Sequence, residues 1–404
     1  MRISRDYIKT IKQTSKEFDS RSHELLVQAG FIDQVASGIF TYLTPGLTVL
    51  TKIENIVRMH MDTLGAIEVK MPLLHPRSYW EKTNRWDSMD VLFRARSKFD
   101  REYALAPTHE EIITPLAAKY IKSYRDLPIG IYQINTKFRD EPRPKSGILR
   151  GREFRMKDLY SFHADKDDFD SYYKKVISVY KAIFADCGLS NVKVTEASGG
   201  DFTKKYSHEF NVITPAGEVD LVYCSSCDFA QNKEVFGEKG NACPECRGQL
   251  QENKAIEVGN IFDLESRFSN AFGLSFVDAR GKTQSLLMGC YGIGTSRLIG
   301  AIVEVHNDKT GIVWPTTVAP FHTHLINLSK DTKNADRVYK ALQSEGFDTI
   351  FDDRTEVSAG EKLVVADLIG TPVRLVVSDK TKDKIEWKER GQKSVRLQSL
   401  KEVI

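Results

Sequence analysis

Residues 138–163 read FRDEPRPKSGILRGREFRMKDLYSFH, and this stretch decides the fold. Segments 129–141 and 151–163 have the composition of extended strands, and the PRPKSG sequence between them has that of a turn. Two strands joined by a polar loop predict an antiparallel hairpin. Seven basic residues lie between positions 139 and 157, so this hairpin is strongly positive.

The basic residues of the hairpin indicate an anionic ligand. Arg139 alternates with Phe138 within the first predicted strand, and a guanidinium that points inward needs an anion. Phe154, which lies beside two arginines, is suited to stack on a base. Arg297 follows the glycine run 289–294 at the start of a predicted helix, where phosphates bind well. We predict a bent nucleoside triphosphate on an antiparallel sheet, although composition alone leaves a solvated charged loop open.

The composition is that of an ordinary globular protein. The 404 residues are 41% hydrophobic and 28% charged, which excludes fibrous and wholly disordered classes, and the length predicts two or three domains. The 58 basic and 55 acidic residues leave a net charge of +3, a total that can still hide a local basic surface. No apolar run predicts a membrane helix, and residues 1–9 do not resemble a secretory signal. We expect no membrane association and a cytoplasmic location.

Hydrophobic periodicity and turn residues predict the other elements. A change to alternating strands and helices after residue 320 predicts a separate α/β domain. The predicted helices are 48–64, 167–187, 294–305, 333–345 and 360–369, and the predicted strands are 66–71, 273–278, 283–289, 325–328, 349–351 and 374–377.

Four of the six cysteines form two C-x-x-C pairs. Cys224 and Cys227 are separated from Cys243 and Cys246 by 15 residues, which is spacing typical of a zinc site. Four thiolates would close the coordination shell of the metal, so the predicted role is structural. Reduced cysteines without a metal are the alternative.

Three segments resemble the signature motifs of class II aminoacyl-tRNA synthetases. The predicted helix 48–64, the strand 66–71 and Pro72 are similar to motif 1, and Arg139 and Arg297 lie in segments similar to motifs 2 and 3. The chain most resembles the bacterial-type prolyl-tRNA synthetases, in the segments APTHEE (106–111), YQINTKFRDE (132–141), MKDLYSFH (156–163), MGCYGIG (288–294), FDDR (351–354) and ADLIG (366–370).

This resemblance covers nearly the whole chain in order and implies its architecture. The implied fold is α/β (α+β), with a class II catalytic domain built on an antiparallel sheet over residues 1–317. A small zinc-ribbon-like insertion with four cysteines is expected at 221–256 within that domain. An α/β anticodon-binding domain is expected over 318–404.

The resemblance also implies roles for individual residues. Arg139 would bridge the carboxylate of proline and the α-phosphate, and Arg297 would contact the γ-phosphate, so both are the implied catalytic residues. The implied ATP-binding residues are Arg139, Glu141 at the adenine amino group, Arg150 or Arg152 at the outer phosphates, Phe154 on the adenine ring, Glu257, Gln284 and Arg297. The implied proline-binding residues are Thr108 and Glu110 at the secondary amine, Arg139, the pocket walls Phe162 and His163, and the pocket floor Cys290 and Gly292. The implied anticodon contacts are Asp352, Asp353, Arg354 and Lys362.

Simpler interpretations stay open for several of these residues. His163 has the alternative of a hydrogen-bonded core histidine, and Cys290 that of a small buried apolar residue. Thr108 has the alternative of a helix N-cap, and the anticodon residues that of an ordinary charged loop.

The implied activity is a homodimeric ligase that joins L-proline to tRNA(Pro). It would use ATP with Mg²⁺ to form prolyl-adenylate and would then transfer the prolyl group to the 3′ end of the tRNA. Another subclass IIa ligase, such as a threonyl or histidyl enzyme, is the nearest alternative. A non-catalytic paralogue that binds tRNA or zinc is the alternative from another class.

Two features depart from the family pattern. The large editing insertion of typical bacterial-type relatives is replaced by the short cysteine module. We therefore expect alanine to be activated and not cleared by this chain, since one methylene is worth only about 1–3 kcal/mol of discrimination, and a separate trans-editing factor would then be needed. Asn260 stands where many relatives carry histidine, and an amide cannot become cationic.

Overall fold

The computed structural model describes residues 1–5, 9–11, 17–200, 202–203, 206–236 and 240–404, without the side chain of residue 206. These residues form two compact units. The larger unit comprises Ser37–Ile39 and Glu54–Ala301. The smaller unit comprises Met1–Ala36, Phe40–Ile53 and Ile302–Ile404.

A nine-stranded, mainly antiparallel sheet forms the centre of the larger unit, as the sequence predicts for the catalytic domain. Within this sheet the strands Tyr206–Ile213 and Leu250–Glu265 also pair directly with each other. The order across the sheet is Tyr206–Ile213, Val192–Ser198, Ala230–Asn232, Val219–Cys224, Leu250–Glu265, Leu287–Ile293, Glu153–His163, Ile129–Phe138 and Ile67–Glu68.

The predicted hairpin is confirmed. Ile129–Phe138 and Glu153–His163 pair antiparallel over their whole length, from Ile129 opposite Phe162 to Phe138 opposite Glu153. The loop between them contains a short 3₁₀ turn at Gly147–Leu149, and Gly147 has a φ of 62° that suits glycine. The loop therefore reverses the direction of the chain, as its turn composition predicts, and the two strands are neighbours in the sheet.

The predicted helices form with small shifts at their ends. The motif 1 helix spans Thr44–Thr63 and is followed by Gly65 at a φ of 67°, but the next strand is only Ile67–Glu68. The remaining helices that include residues of the larger unit are Arg77–Lys82, Glu110–Tyr120, Lys166–Asp186, Lys233–Phe236, Arg267–Ala271 and Thr295–Val305, with a 3₁₀ turn at Tyr124–Asp126. Two small sheets accompany them, one of Leu74–Pro76, Arg94–Arg96 and Glu102–Leu105 and one of Ser275–Val277 and Thr283–Ser285.

The cysteine module is continuous with the central sheet. The strands Val219–Cys224 and Leu250–Glu265 pair from Val219 opposite Ala255 to Cys224 opposite Leu250. The predicted boundaries 221–256 therefore fall inside two strands of the sheet, and residues 237–239 of that range lie outside the described residues. The periodicity of Leu250–Glu265 is hard to detect in the sequence because the first part of this strand is polar and exposed.

The smaller unit contains the predicted α/β domain. Its sheet has the order Thr349–Asp352, Thr323–Asn327, Val373–Val377, Ile385–Glu389 and Arg396–Gln398, of which the last two strands lacked a sequence prediction. The first three strands are parallel. The helices of this unit are Arg21–Gln28, Lys333–Ser344, Ala359–Ile369 and Leu400–Val403, and a hairpin joins Ile32–Ala36 to Ile39–Tyr42.

N-terminal residues that the sequence assigns to the catalytic domain pack with this C-terminal sheet. The Ile3 N–H donates to the Phe351 carbonyl at 2.9 Å, and the Phe351 N–H donates to the Met1 carbonyl at 2.8 Å. These bonds add the first residues to the edge of the sheet. No helix within the described ranges is long and apolar enough to cross a bilayer.

Lys157 is buried on the back of the central sheet and makes stability depend on pH. Its Nζ donates to the Tyr180 hydroxyl and, at 3.1 Å, to the Tyr291 carbonyl. Burial lowers the pKa of Lys157 to about 7, whereas an unfolded lysine titrates near 10.4. Between these values the unfolded chain binds more protons, so stability rises with pH by up to about 1.4 kcal/mol per unit.

We expect Lys157→Met to be more stable than the unchanged chain at pH 7 and to lose this dependence. Denaturant unfolding of both proteins at pH 7 and pH 9 measures the effect. The advantage of the variant should shrink at pH 9, and an equal advantage at both pH values would contradict the assignment.

Candidate active site

Arg139 lies at a cavity of about 360 Å³ in the larger unit. Its Nε atom is buried and has no hydrogen-bond partner among the described residues, and its guanidinium lies 5.2 Å from the centroid of the Phe154 ring. Burial and then the charge of Arg297 lower the pKa of Arg139. A half-buried guanidinium with an unpaired Nε at a cavity is a site prepared for an anion.

Arg297 reaches the same cavity from the first turn of the Thr295–Val305 helix. Its Nε donates to the Leu149 carbonyl at 2.7 Å, and one of its Nη atoms donates to the Glu257 carbonyl at 2.9 Å. The Glu257 carboxylate lies 3.6 Å from that Nη and also lines the cavity. Two guanidiniums from distant parts of the chain therefore converge on one space.

The other predicted nucleotide residues of the hairpin divide into two groups. Glu141, Arg150 and Phe154 line the cavity, and Arg150 donates to Glu141 at 2.9 Å and to Glu218 at 2.7 Å. Arg152 does not line it, because its Nε donates to the Glu141 carbonyl at 3.0 Å and one Nη to a loop carbonyl. Of the two alternatives for the outer phosphates, the structure therefore brings Arg150 to the cavity.

Gln284 is not brought to the cavity. It lies exposed on the small Ser275–Val277 and Thr283–Ser285 sheet, where its amide donates to Asp278 at 3.3 Å. The sequence predicts one strand over 283–289. In the structure this range is divided between Thr283–Ser285 of the small sheet and Leu287–Ile293 of the central sheet.

Three predicted proline-binding residues form one buried cluster. The Thr108 hydroxyl donates to Glu110 at 2.6 Å, and the Cys290 thiol donates to the other Glu110 oxygen at 3.1 Å. Burial raises the pKa of Cys290, with the Glu110 charge as the next cause. The helix Glu110–Tyr120 has His109 as its N-cap, so Thr108 bonds a side chain and does not cap the helix. The buried Arg85 guanidinium also lies 3.4 Å from Glu110, so this carboxylate has a hydroxyl, a thiol and a guanidinium around it.

Phe162 and His163 lie on opposite faces of their strand. Phe162 packs in the same core cluster as Cys290 and Met288. His163 is bonded to Asp168 at 2.6 Å and to Ser161 at 2.8 Å, on the face that carries the Lys166–Asp186 helix. The structure therefore corrects the prediction that both wall one pocket, because neighbouring residues of a strand point in opposite directions.

Alternation along the same strand identifies residues that the sequence prediction missed. Asp158 and Tyr160 share the face of Phe162, and the Tyr160 hydroxyl donates to Asp158 at 3.0 Å. Lys137 donates to the second Asp158 oxygen at 2.6 Å, and burial lowers the pKa of Lys137. Gly292 pairs directly with Asp158 across the sheet. Counting every second residue from Phe162 would have placed Asp158 and Tyr160 beside the cluster.

The four cysteines of the module converge. Their four Sγ atoms all lie within 4.8 Å of one another. The Sγ atoms of Cys224 and Cys246 are 3.5 Å apart, and those of Cys227 and Cys243 are 3.6 Å apart. Four thiols at these separations fit a tetrahedral metal ion with sulfur ligands at about 2.3 Å.

The predicted anticodon residues make internal contacts in the smaller unit. Asp352 is buried and accepts from Arg354 at 2.7 and 2.9 Å. Asp353 accepts from Arg2 at 3.1 Å, and buried Lys362 donates to the Asn327 carbonyl at 2.6 Å. Asp352 and Lys362 thus stabilise the ends of the parallel strands.

Comparison with known proteins identifies the family. The model of the tRNA synthetase class II core domain (G, H, P, S and T) matches residues 93–306, and that of the anticodon binding domain matches residues 317–404. Proline–tRNA ligase of Wolbachia sp. subsp. Drosophila simulans is 39% identical over 420 residues, which cover 100% of this chain and 99% of the relative. The chain belongs to the proline–tRNA ligase family. It is an ATP-dependent class II ligase that joins proline to tRNA.

A longer relative shows which form of the ligase this chain is. Proline–tRNA ligase of a Sulfurihydrogenibium species is 33% identical over 557 aligned residues, which cover 100% of this chain and 98% of the relative. This chain has 404 residues, so the longer ligase carries segments that it lacks. The predicted short form is confirmed by the full-length match to the Wolbachia ligase.

Solved structures of prolyl-tRNA synthetases share the fold. The enzyme of Giardia lamblia, solved in complex with prolyl-adenylate, has a TM-score of 0.77 at 21% identity and covers 94% of this chain and 74% of its own. The enzyme of Cryptosporidium parvum, complexed with L-proline and AMP, has a TM-score of 0.77 at 19% identity and covers 95% of this chain and 72% of its own.

Proposed function

We propose that this ligase activates proline in the cavity of Arg139 and Arg297, with the proline amine held by Thr108 and Glu110. The observation that carries the proposal is the convergence of Arg139, which is buried and unpaired at Nε, with Arg297 on one cavity. Two guanidiniums at one space repel each other and are stabilised by a polyanion. A folded triphosphate is the polyanion that this family uses.

The residues act by position and charge. A carboxylate oxygen of proline attacks the α-phosphorus in line and pyrophosphate leaves, so no protein nucleophile is needed. Arg139 holds the attacking carboxylate and the α-phosphate together, and Arg297 stabilises the charge on the leaving group. Phe154 supplies an apolar face for the adenine ring, and Glu141 accepts from its amino group.

A magnesium ion fits this cavity through the Glu257 carboxylate, which lines it. Mg²⁺ takes oxygen ligands from few carboxylates and from phosphates, and it would neutralise phosphate charge when bound. Gln284 is less suited to this role, because it is bonded to Asp278 on an exposed hairpin.

Pyrophosphate exchange screened over all amino acids tests the assignment of the amino acid. Exchange should be fastest with proline, because Thr108, Glu110 and Cys290, which the family resemblance implies for proline, lie together in one buried cluster. Faster exchange with threonine or histidine would contradict the assignment.

We expect alanine to be activated and attached to tRNA at a rate reduced only about 10- to 200-fold relative to proline. The pocket cannot strongly reject a smaller side chain, and this chain lacks segments that the longer Sulfurihydrogenibium ligase carries. Alanyl-tRNA should therefore persist with the purified chain, unless a separate trans-editing factor is added. Deacylation assays on alanyl-tRNA measure this, and rapid clearance by the purified chain would refute it.

We also propose that the four-cysteine site holds a structural Zn²⁺, which is supported by the 4.8 Å convergence of its sulfurs. A closed shell of four thiolates leaves no position for a reactive water. The cytoplasmic location and the anticodon contacts of Asp353 and Arg354 stay predictions.

A homodimer is supported by an apolar surface around the motif 1 segment of the larger unit. Met59, Ile67 and Leu74 are 53%, 52% and 53% exposed, and Ile67–Glu68 is an edge strand of the central sheet. A second copy would cover these side chains.

We expect Ile67→Glu to convert the dimer into a monomer, since it replaces an exposed apolar side chain of the edge strand with a charge. Sedimentation equilibrium should give the mass of two chains for the unchanged protein and of one chain for the variant. The exposed control Val277→Glu should stay dimeric, and a monomeric unchanged protein would contradict the proposal.

A further inference from the structure

A second buried carboxylate lies next to the one assigned to the proline amine. Glu110 and Glu111 are consecutive in the first turn of the Glu110–Tyr120 helix, and both side chains are 0% exposed. Neighbouring residues of a helix point in different directions. Glu110 therefore meets Thr108, whereas Glu111 accepts from the Thr83 hydroxyl at 2.8 Å.

Arg85 is the cation that these two carboxylates share. One of its Nη atoms donates to the two Glu111 oxygens at 3.0 and 3.3 Å and to one Glu110 oxygen at 3.4 Å. No other basic side chain within the described residues forms an ion pair with either carboxylate. The shorter contacts assign the charge of Arg85 to Glu111. The three side chains therefore carry one net negative charge, and it is located at Glu110.

Aromatic rings enclose the Arg85 side chain, which is only 1% exposed. Its guanidinium carbon lies 5.4, 5.0 and 5.5 Å from the ring centroids of Trp80, Phe202 and Phe268. The faces of such rings stabilise a cation. Arg85 therefore acts on a bound amino acid only through the carboxylates that it contacts.

Two adjacent buried carboxylates depend on this cation for their charge. Like charges disfavour ionisation of both groups, so without Arg85 the pair would hold a proton on one of its members. A protonated Glu110 has lost the charge that attracts an ammonium. With Arg85 on Glu111, Glu110 stays ionised, and its buried charge is satisfied by a cationic ligand.

We propose that Arg85 is a positioning residue for proline binding. By pairing with Glu111, it keeps Glu110 charged and leaves Glu110 as the carboxylate that binds the secondary ammonium of the substrate. This inference rests on the proposed function, because it needs Glu110 at the amine of proline.

The test is a double-mutant cycle on Arg85 and Glu111, read as the KM for proline in pyrophosphate exchange. Arg85→Met leaves two carboxylates without a cation, and Glu111→Gln turns Arg85 toward Glu110, where it competes with the ammonium. Each single variant should raise the KM for proline about ten- to hundredfold and keep the KM for ATP within about threefold. The double variant Arg85→Met/Glu111→Gln should return the KM for proline to within about threefold of the unchanged protein, because Glu110 is again the one charge.

Two further variants separate this role from a structural one. Arg85→Met/Glu110→Gln removes the same number of charges but should keep the raised KM for proline. Arg77→Met removes an exposed ion pair with Glu81 and should leave the KM for proline unchanged. If Arg85→Met alone does not fold, Glu111→Gln and the double variants carry the same comparison.

A normal KM for proline in Glu111→Gln, or an equal KM in the two double variants, would overturn the role of Arg85. A normal KM for proline in Glu110→Gln would instead overturn the proposed function. The two failures are therefore distinguishable.

Discussion

Replacing Arg139 with alanine is expected to lower the rate of proline-dependent pyrophosphate exchange by about 10²–10³-fold, with no loss of thermal stability. The guanidinium is lost from the cavity where charge develops, and the folded chain loses a half-buried cation whose buried Nε has no partner among the described residues. Burying an unpaired charge is costly, so its removal does not weaken the fold. Exchange rates and melting temperatures of both proteins measure the two effects.

Arg155 is the matched control for Arg139. It lies on the same hairpin, but its guanidinium donates to buried Glu54 at 2.9 and 3.1 Å. Arg155→Ala leaves that carboxylate without its cation and should cost about 1–3 kcal/mol of stability while most of the exchange activity persists. Near-normal exchange in Arg139→Ala would contradict its assignment as the residue that binds the α-phosphate.

Replacing Cys224 with serine is expected to abolish zinc binding and to unfold the module between the strands Val219–Cys224 and Leu250–Glu265. Structural zinc sites contribute on the order of 10 kcal/mol to the folding of small domains. The module has few buried apolar side chains of its own, among them Phe236. Metal analysis should give one zinc per unchanged chain and none per variant, and limited proteolysis should cleave the variant between residues 225 and 249.

Cys187 supplies the control for this prediction. It is buried at the end of the Lys166–Asp186 helix and is absent from the cluster, so Cys187→Ala should keep one zinc per chain. A chelator should reproduce the proteolysis pattern of Cys224→Ser in the unchanged protein. A metal-free unchanged protein with a protease-resistant module would contradict the zinc assignment.

The sequence predicted the elements whose signals are local. The hairpin of segments 129–141 and 151–163 follows from strand composition on both sides of a proline-rich turn, and the C-terminal α/β domain follows from alternating periodicities. The strands Val192–Ser198 and Tyr206–Ile213 were missed, although polar and apolar residues alternate from Glu209 to Val212 as in a half-buried strand. Polar residues lie on both faces of this strand pair, since His208 is opposite Glu196 and Glu209 is opposite Thr195.

Part of the candidate site could be predicted and part could not. Residues within one motif, such as Arg139 and Glu141, reach the cavity as predicted because the hairpin holds them. Phe162 and His163 were both assigned to the pocket from the resemblance to the family, although neighbouring residues of a strand point to opposite faces. Gln284 was also assigned from that resemblance, and it lies on the small hairpin of Ser275–Val277 and Thr283–Ser285, away from the cavity.

The sequence by itself determined the family, the ligase chemistry and the four-cysteine module, because each depends on residue types at short fixed spacings. Only the tertiary structure decided which side chains meet. Arg139 and Arg297 share a cavity, and Glu209 lies opposite Asn260, through the register between strands that are far apart in the chain. Register depends on the packing of the whole sheet, and no local pattern of residues encodes it.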